Sequence, residues 1–202
     1  HTLIQDPLLN YPYGAINPNP PLYQWSVAAT GHLLAPMFTA DAVNHLSQDQ
    51  VATWWATEWA PVVYGALTLI PIYFIGKWLF DRRVGVVAAA FWVFSAEAID
   101  VTGLGDSRHY AAVLFFASLA FMFYIRALQH FRGEGNWVTS WKNGSAISSG
   151  LGRFFRERRV AIGYALLTGI SIAAVALMWK GFPYVIGTMF IYAGLQMILD
   201  HW

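Results

Sequence analysis

Apolar residues in this chain fall into long runs broken by short polar segments. Pro61 to Phe80 is apolar over twenty residues, about the number a helix needs to cross a bilayer's hydrocarbon core. Val84 to Ile99 is a second, shorter run rich in Ala, Val and Phe. Tyr110 to about Phe131 is a third, Val160 to Trp179 a fourth and Phe182 to Leu199 a fifth. The pattern predicts five membrane-spanning helices, with a kink at Pro71 of the kind membrane helices tolerate. Leu22 to Phe38 also reads as helix, but Gln24, Gly31 and His32 interrupt it. It is expected to lie in the interface or re-enter rather than to cross. Residues 1–21 carry Pro7, Pro12, Pro18, Pro20 and Pro21 and read as loop. Residues 39–51 are polar, with Asp41, Asn44, His45 and Asp49, and Ser47 is placed to cap the helix that follows.

Composition turns this pattern into a class. Hydrophobic residues make up 57% of the 202, charged residues 11%, and mean hydropathy is +0.44. Soluble domains have roughly 25% charged residues and about 45–50% apolar ones. A soluble fold would leave the surplus apolar surface in water, whereas lipid accepts it. The ten Trp, ten Tyr and fourteen Phe suit a chain that crosses membrane interfaces repeatedly. The absence of Cys excludes disulfides and thiolate zinc sites. The expected fold class is therefore all-α, a polytopic membrane helix bundle. Residues 1–60 form an external loop with an interfacial helix. Residues 61–202 form a bundle of about five helices, with a cytoplasmic loop near 132–159. A start at His1 and an end at Trp202 just after an apolar run predict a fragment of a longer protein.

Charge sets the expected orientation. Lys77, Arg82 and Arg83 follow the first span. Arg126, Arg132, Lys142, Arg153, Arg156, Arg158 and Arg159 follow the third, so ten of the twelve Lys and Arg share one side if the spans alternate. Arg108 and Lys180 lie on the other. Cytoplasmic loops gather Lys and Arg, so residues 100–109, residues 179–182 and the N-terminal loop are expected outside. Asp6, Asp41, Asp49, Glu58, Glu97, Asp100 and Asp106 fall on that outer side too. Phe154, Phe155 and the basic residues beside them read as a solvated inner loop, or as one lying on anionic lipid.

Candidate chemistry concentrates in one outer turn, Val101-Thr-Gly-Leu-Gly-Asp106-Ser-Arg108-His109-Tyr110. Gly103 and Gly105 are expected to allow a close backbone approach. Polar groups at the bilayer edge are costly unless paired or used. A carboxylate with an imidazole nearby suits a divalent cation such as Mg²⁺ or Mn²⁺. An aspartate at a helix start is equally a cap. Lys180, in the corner Trp179-Lys-Gly-Phe-Pro-Tyr184, either snorkels to water or pairs with a phosphate. Glu97 and Asp100 read as solvated interfacial acids. Asn143-Gly144-Ser145 fits a glycosylation acceptor but falls on the expected inner side, and so is put down to chance. His32 and His45 lack ligand spacing. The run Arg153 to Arg159 lacks the fold context of a nucleic-acid binder, so no nucleic-acid partner is expected.

Taken in order, these pieces resemble a family. Asp6-Pro-Leu-Leu-Asn-Tyr-Pro-Tyr-Gly14 and Asn17-Pro-Asn-Pro-Pro-Leu-Tyr23 look like the first external loop of oligosaccharyltransferase catalytic subunits, in the archaeal manner. The Gly-x-Gly-Asp106 turn resembles the family's second acidic motif, and Trp179 to Tyr184 its external corner after the fifth span. The resemblance covers nearly the whole chain and implies a GT-C-like glycosyltransferase. Such enzymes move an oligosaccharide from a lipid-linked (dolichyl) phosphate or pyrophosphate to the Asn of an Asn-x-Ser/Thr sequon, using Mn²⁺ or Mg²⁺ at the outer face.

On that resemblance Asp106 is the catalytic acid and first metal ligand. The motif's third position is Arg108 here, and His109, one further on, is the alternative second ligand. The family's preceding Arg has no counterpart; Ile99 and Asp100 stand near its place. Arg108, Lys180 and Tyr184 are assigned to the donor phosphate. The implied partners are a lipid-linked donor, an acceptor protein with a sequon, and membrane lipid; the implied location is a cell membrane, multi-pass, with the catalytic face outward. Two other readings fit the spans: a mannosyltransferase-like enzyme using lipid phosphosugars, and a transporter. Against transport, the polar residues cluster at one surface and the middles of the spans are clean.

Overall fold

A computed structural model describes residues 5–6, 15–16, 21–41, 43–106, 108–131, 152 and 154–199. Its helices are α1 (Leu22–Leu34), α2 (Gln48–Leu79), α3 (Arg82–Phe94), α4 (Ala96–Thr102), α5 (Tyr110–Phe131), α6 (Arg159–Ala176) and α7 (Phe182–Leu199). A 3-10 turn, Ala35–Met37, extends α1. The N-terminal loop contains a minimal hairpin: Gln5–Asp6 pairs antiparallel with Ala15–Ile16.

The helices α2, α5, α6 and α7 are long and apolar enough to cross a membrane. The pair α3 and α4, bent by 62° at Ser95, makes a fifth span if counted as one. α5 and α7 have the bounds expected from their apolar runs. α2 does not: it starts thirteen residues before Pro61 and runs on as helix through Pro61 and Pro71. Its 32 residues give about 48 Å of helix against a hydrocarbon core of about 30 Å. The apolar run from Pro61 to Leu79 alone supplies about 28 Å, so the first part, from Gln48 to about Ala60, projects beyond that crossing length.

Ser47 begins this projection with a capping box. Its Oγ accepts from Gln50 N at 3.3 Å, and Gln50 Oε1 accepts from Ser47 N at 2.8 Å. An N-cap oxygen is worth about 1 kcal/mol. Ser47→Ala is therefore expected to speed hydrogen exchange of the Gln50 amide roughly fivefold, while amides beyond Pro61 stay unchanged.

Helix contacts rely on small residues, as they do in membranes where van der Waals packing replaces the hydrophobic drive. α5 packs against α2 and α6, and α2 also packs against α1 and α3. Buried Ala56, Ala112, Val113, Ala120, Val175, Met178, Val185 and Met189 form one core with Tyr23 and Val27 of α1. Large apolar side chains such as Phe91, Phe94, Ile170, Phe190 and Ile191 remain exposed on the outer surface, where lipid can cover them. The α2–α3 hairpin is tighter still. A Cβ on Gly85 would lie 2.6 Å from the Tyr73 carbonyl oxygen, and one on Gly76 2.8 Å from Gly85 Cα.

Hydrogen bonds between helices separate the two ends of the bundle. At one end Gln129 Nε2 donates to Trp78 O at 2.9 Å, Arg126 Nη1 to Gln129 Oε1 at 3.1 Å, and Arg158 Nη1 to His130 O at 2.6 Å. The Arg126 guanidinium also lies 5.0 Å from the centre of the Trp78 ring. Arg126 is thus part of α5, not of the loop after it. At the other end Leu22 N donates to Leu177 O at 3.0 Å and Gly105 N to Glu58 O at 3.2 Å. The basic residues after α2 and α5 and the turn carrying Asp106 therefore occupy opposite ends, as expected from alternation. Asn143-Gly144-Ser145 and Arg132, Lys142 and Arg153 lie outside the described residues.

Candidate functional site

The turn that carries Asp106 joins α4 to α5, and its shape follows from local bonds. Gly105 sits at φ +83°, a left-handed conformation that glycine adopts without penalty. Nothing lies within 4 Å of where its Cβ would be. The close approach expected at Gly105 is therefore replaced by a conformational reason. The same residue's N–H ties the turn to Glu58 on α2. Below it, Thr102 Oγ1 donates to Ala98 O at 2.6 Å, and the Thr102 side chain fills the space a Cβ on Gly65 would need. The turn is thus anchored to the projecting part of α2 and to α4.

Asp106 and Arg108 lock together. Arg108 Nε donates to Asp106 Oδ1 at 2.7 Å and Nη2 to Oδ2 at 2.8 Å, and the Arg108 backbone N also reaches Oδ1 at 3.2 Å. Nη2 lies 3.6 Å from Asp100 Oδ2 as well. The Asp106 side chain is only 14% exposed, that of Arg108 53%. The guanidinium bond, backed by the backbone N–H and the positive charge, holds the Asp106 carboxyl below its ordinary value. The same bond raises Arg108. Asp106 is therefore a carboxylate at working pH. The bonds it accepts come from Arg108, which precedes α5, so it shapes the turn and does not serve as the N-cap of that helix. Asp100 is the solvated acid expected, its side chain 72% exposed at the edge of this charge group.

Arg108, His109 and Tyr110 line a cleft of about 550 Å³ with Tyr23, Gln24 and Val27 of α1 and Thr57 of α2. Two polar atoms around it are buried without a hydrogen-bond partner: His109 Nε2 and the Tyr23 hydroxyl. Burial lowers the His109 pKa, so the imidazole is neutral at pH 7, the form that binds metals. Burial, with Tyr64 and Asp106 nearby, pushes Tyr23 up to about 12. Its hydroxyl therefore stays a donor through the working range. Ultraviolet titration is therefore expected to give the wild type and Tyr23→Phe nearly equal ionisation amplitudes at about pH 11, because Tyr23 is still protonated there; an amplitude smaller by one tyrosine in the variant would contradict this.

A divalent cation would have to draw on these donors. Among the described residues no group of three or more His, Asp or Glu comes together. One carboxylate and one unpartnered imidazole nitrogen are right in kind for Mn²⁺ or Mg²⁺ but too few to complete a shell. A carboxylate has about four lone-pair positions, so pairing with Arg108 leaves Asp106 able to ligate. The two residues fit part of a site in the kind of donor they offer, and of the two only His109 is among the residues lining the cleft.

Lys180 and Tyr184 lie at the same end of the bundle but not among the residues lining the cleft. Lys180 is exposed, and Tyr184, 77% exposed, stacks on Trp179 with centroids 6.3 Å apart. The Trp179 indole occupies the space a Cβ on Gly181 would need, which fixes the corner's shape. His32 Nδ1 meets Asp49 Oδ1 at 3.4 Å, both exposed, away from the cleft residues. Tyr23, which the sequence places only in the first-loop resemblance, joins the cleft through the packing of α1 against α2.

The chain is thus an all-helical bundle, with helices long and apolar enough to cross a membrane and a charged cleft at one end. That fold is the one seen in the archaeal oligosaccharyltransferase AglB from Archaeoglobus fulgidus. The structure of AglB with an inhibitory peptide and a dolichol-phosphate matches with a TM-score of 0.66 at 18% identity, over 90% of this chain and 18% of that chain. A second structure of the Archaeoglobus fulgidus oligosaccharyltransferase, tethered to an acceptor peptide containing the NVT sequon, matches with a TM-score of 0.65 at 18% identity, over 96% of this chain and 19% of that one. The chain therefore spans about a fifth of the length of the proteins it resembles. No protein-family model matches the sequence, and no curated protein matches it.

Proposed function

We propose that this chain is the donor-facing part of an enzyme of protein N-glycosylation. The whole protein moves an oligosaccharide from a lipid-linked phosphate or pyrophosphate to the Asn of an Asn-x-Ser/Thr sequon, at the outer face of a cell membrane. The observation that supports this best is the cleft itself. In a fold shared with an oligosaccharyltransferase, it gathers a guanidinium, a neutral imidazole and a protonated phenol at the bilayer edge.

Each group has a task in that reaction. Asp106 fixes Arg108 through Nε and Nη2, which leaves Nη1 outside the lock. Nη1 then meets a phosphate oxygen, and planar guanidinium donors suit that partner. Tyr23, uncharged, donates a further hydrogen bond toward the donor. Asp106 and His109 would hold Mn²⁺ or Mg²⁺ together with ligands from parts of the protein beyond this chain. When bound, such a cation stabilises charge developing on the departing phosphate. Lys180 and Tyr184 are proposed to meet the donor's phosphate from the neighbouring corner. The test uses the full-length protein in proteoliposomes with Mn²⁺, a lipid-linked oligosaccharide, and peptides carrying Asn-x-Thr or Gln-x-Thr. Glycosylation of the first peptide alone is expected. Transfer of single sugars to Ser or Thr hydroxyls instead would point to the mannosyltransferase reading.

A further inference from the structure

The end of the bundle away from the cleft carries exposed charge that nothing nearby neutralises. Arg82 and Arg83 open α3, and Arg156 and Arg159 flank the start of α6. All four side chains are exposed, and among the described residues none of them makes an ion pair. The acids described at this end are Asp81 and Glu157. Asp81 accepts from Val84 N at 2.8 Å as the cap of α3. Neither α3 nor α6 has an acid in its first turn. With Lys77, five exposed cations stand against two carboxylates among the described residues.

The bonds that close this end hold the two arginine groups on one surface. Gln129 Nε2 to Trp78 O ties the end of α2, just before Arg82, to α5, and Arg158 Nη1 to His130 O ties the residues before α6 to the same helix. Phe154 stacks on Phe131 with centroids 6.0 Å apart. Arg158 N donates to Phe154 O at 2.9 Å, and the turn this closes leaves Phe155 and Arg156 outward. An exposed ring thus stands beside each arginine group: Phe80, 74% exposed, and Phe155, 58% exposed.

That combination of ring and guanidinium selects the partner. A soluble anion or an acidic protein would meet the charges and leave both rings in water. A phospholipid with an anionic headgroup supplies phosphate for the arginines and an apolar boundary for the rings. Attraction to such a surface amounts to roughly fivefold in affinity per basic residue close to it.

We propose that the basic end of the bundle binds anionic phospholipid, through Arg82, Arg83, Arg156 and Arg159 with Phe80 and Phe155 beside them. The surface is separate from the cleft and does not depend on the function proposed for it. Of the two readings open to the basic residues near Phe155, the one on lipid is taken.

The test is native mass spectrometry of the full-length protein, released from micelles that hold phosphatidylglycerol and phosphatidylcholine in equal amounts. Wild type is expected to retain phosphatidylglycerol about tenfold over phosphatidylcholine. Replacing all four arginines with Gln should bring that ratio close to even, and replacing them with Lys should keep most of it. Phe155→Ser should lower it about threefold. All four arginines are exposed, so the thermal midpoint should stay put in both sets, and each pair changed alone should lose part of the ratio. Equal retention of the two lipids by wild type would overturn the proposal, as would a ratio unchanged by the four Gln substitutions. Loss of the ratio in Arg108→Gln instead would place the anionic lipid in the cleft. Displacement of phosphatidylglycerol by an equal concentration of glycerol phosphate would make a free phosphate the ligand. Either result would also overturn it.

Discussion

Asp106→Ala is expected to lower the rate of glycan transfer by the full-length protein by about 100- to 1,000-fold, the scale on which charge-stabilising groups act. The substitution removes two things together: a carboxylate available to the cation, and the partner that holds Arg108 in place. Arg108→Gln separates them, since it leaves the carboxylate and removes the guanidinium. It should raise KM for the donor more than it lowers kcat, whereas Asp106→Ala should act mainly on kcat. Both variants should fold, because the path of the turn is also held by the bond from Gly105 N to Glu58 O. Steady-state kinetics at fixed Mn²⁺, with the donor varied, makes the distinction. Equal effects on kcat and KM in both variants would reduce Asp106 and Arg108 to a structural clasp.

The second large effect concerns the fold. Gly85→Val should disrupt the α2–α3 hairpin, because its Cβ meets the backbone of Tyr73 and Lys77, at 2.6 Å from one carbonyl oxygen and 3.1 Å from an amide nitrogen. Backbone atoms on a packed helix cannot step aside as the tip of a side chain can. Overpacking of this kind costs about 1–3 kcal/mol, and the helices must separate or rotate. The Trp92 Nε1 bond to Gly65 O, 3.2 Å long, lies further along the same pair of helices and should weaken with it. Thermal unfolding in detergent is expected to show a midpoint several degrees lower. Gly163→Val is the control: nothing lies within 4 Å of that Cβ position, and its midpoint should barely move.

What was legible in the sequence follows from how its signals arise. Phe182–Leu199 and Tyr110–Phe131 were readable to their ends because each apolar run is bounded by a turn or a charge. Span four was placed within a few residues. The outer part of α2 was read only at its start, through Ser47 as the cap of the next helix, while the apolar run was placed from Pro61. Outside the bilayer it has no continuous apolar run, and Trp54, Trp55 and Trp59 among polar residues look like interface. The Ser47–Gln50 capping box was the signal available, and it marked the right place. The bend at Ser95 left no mark, since nothing as disruptive as proline stands there.

The site was half readable. Asp106, Arg108 and His109 are neighbours in sequence, so their grouping needed no fold. Tyr23, Thr57 and Val27 join them only because α1 folds back against the projecting part of α2. Lys180 and Tyr184 share the end of the bundle, as their position in a corner required. Their place relative to the cleft depends on how α6 and α7 pack, which no local pattern encodes.

Everything proposed for the cleft requires it to face outward, away from the basic end. The chain contains no Cys, so single-cysteine labelling reads this directly in the full-length protein once any cysteines elsewhere are removed. Leu104→Cys reports on the turn, at a position 61% exposed, and Phe155→Cys on the basic end, 58% exposed. A membrane-impermeant maleimide applied to intact cells is expected to label Leu104→Cys, and to reach Phe155→Cys only after permeabilisation. Labelling of Phe155→Cys in intact cells, with Leu104→Cys protected, would put the cleft on the cytoplasmic side and contradict the account.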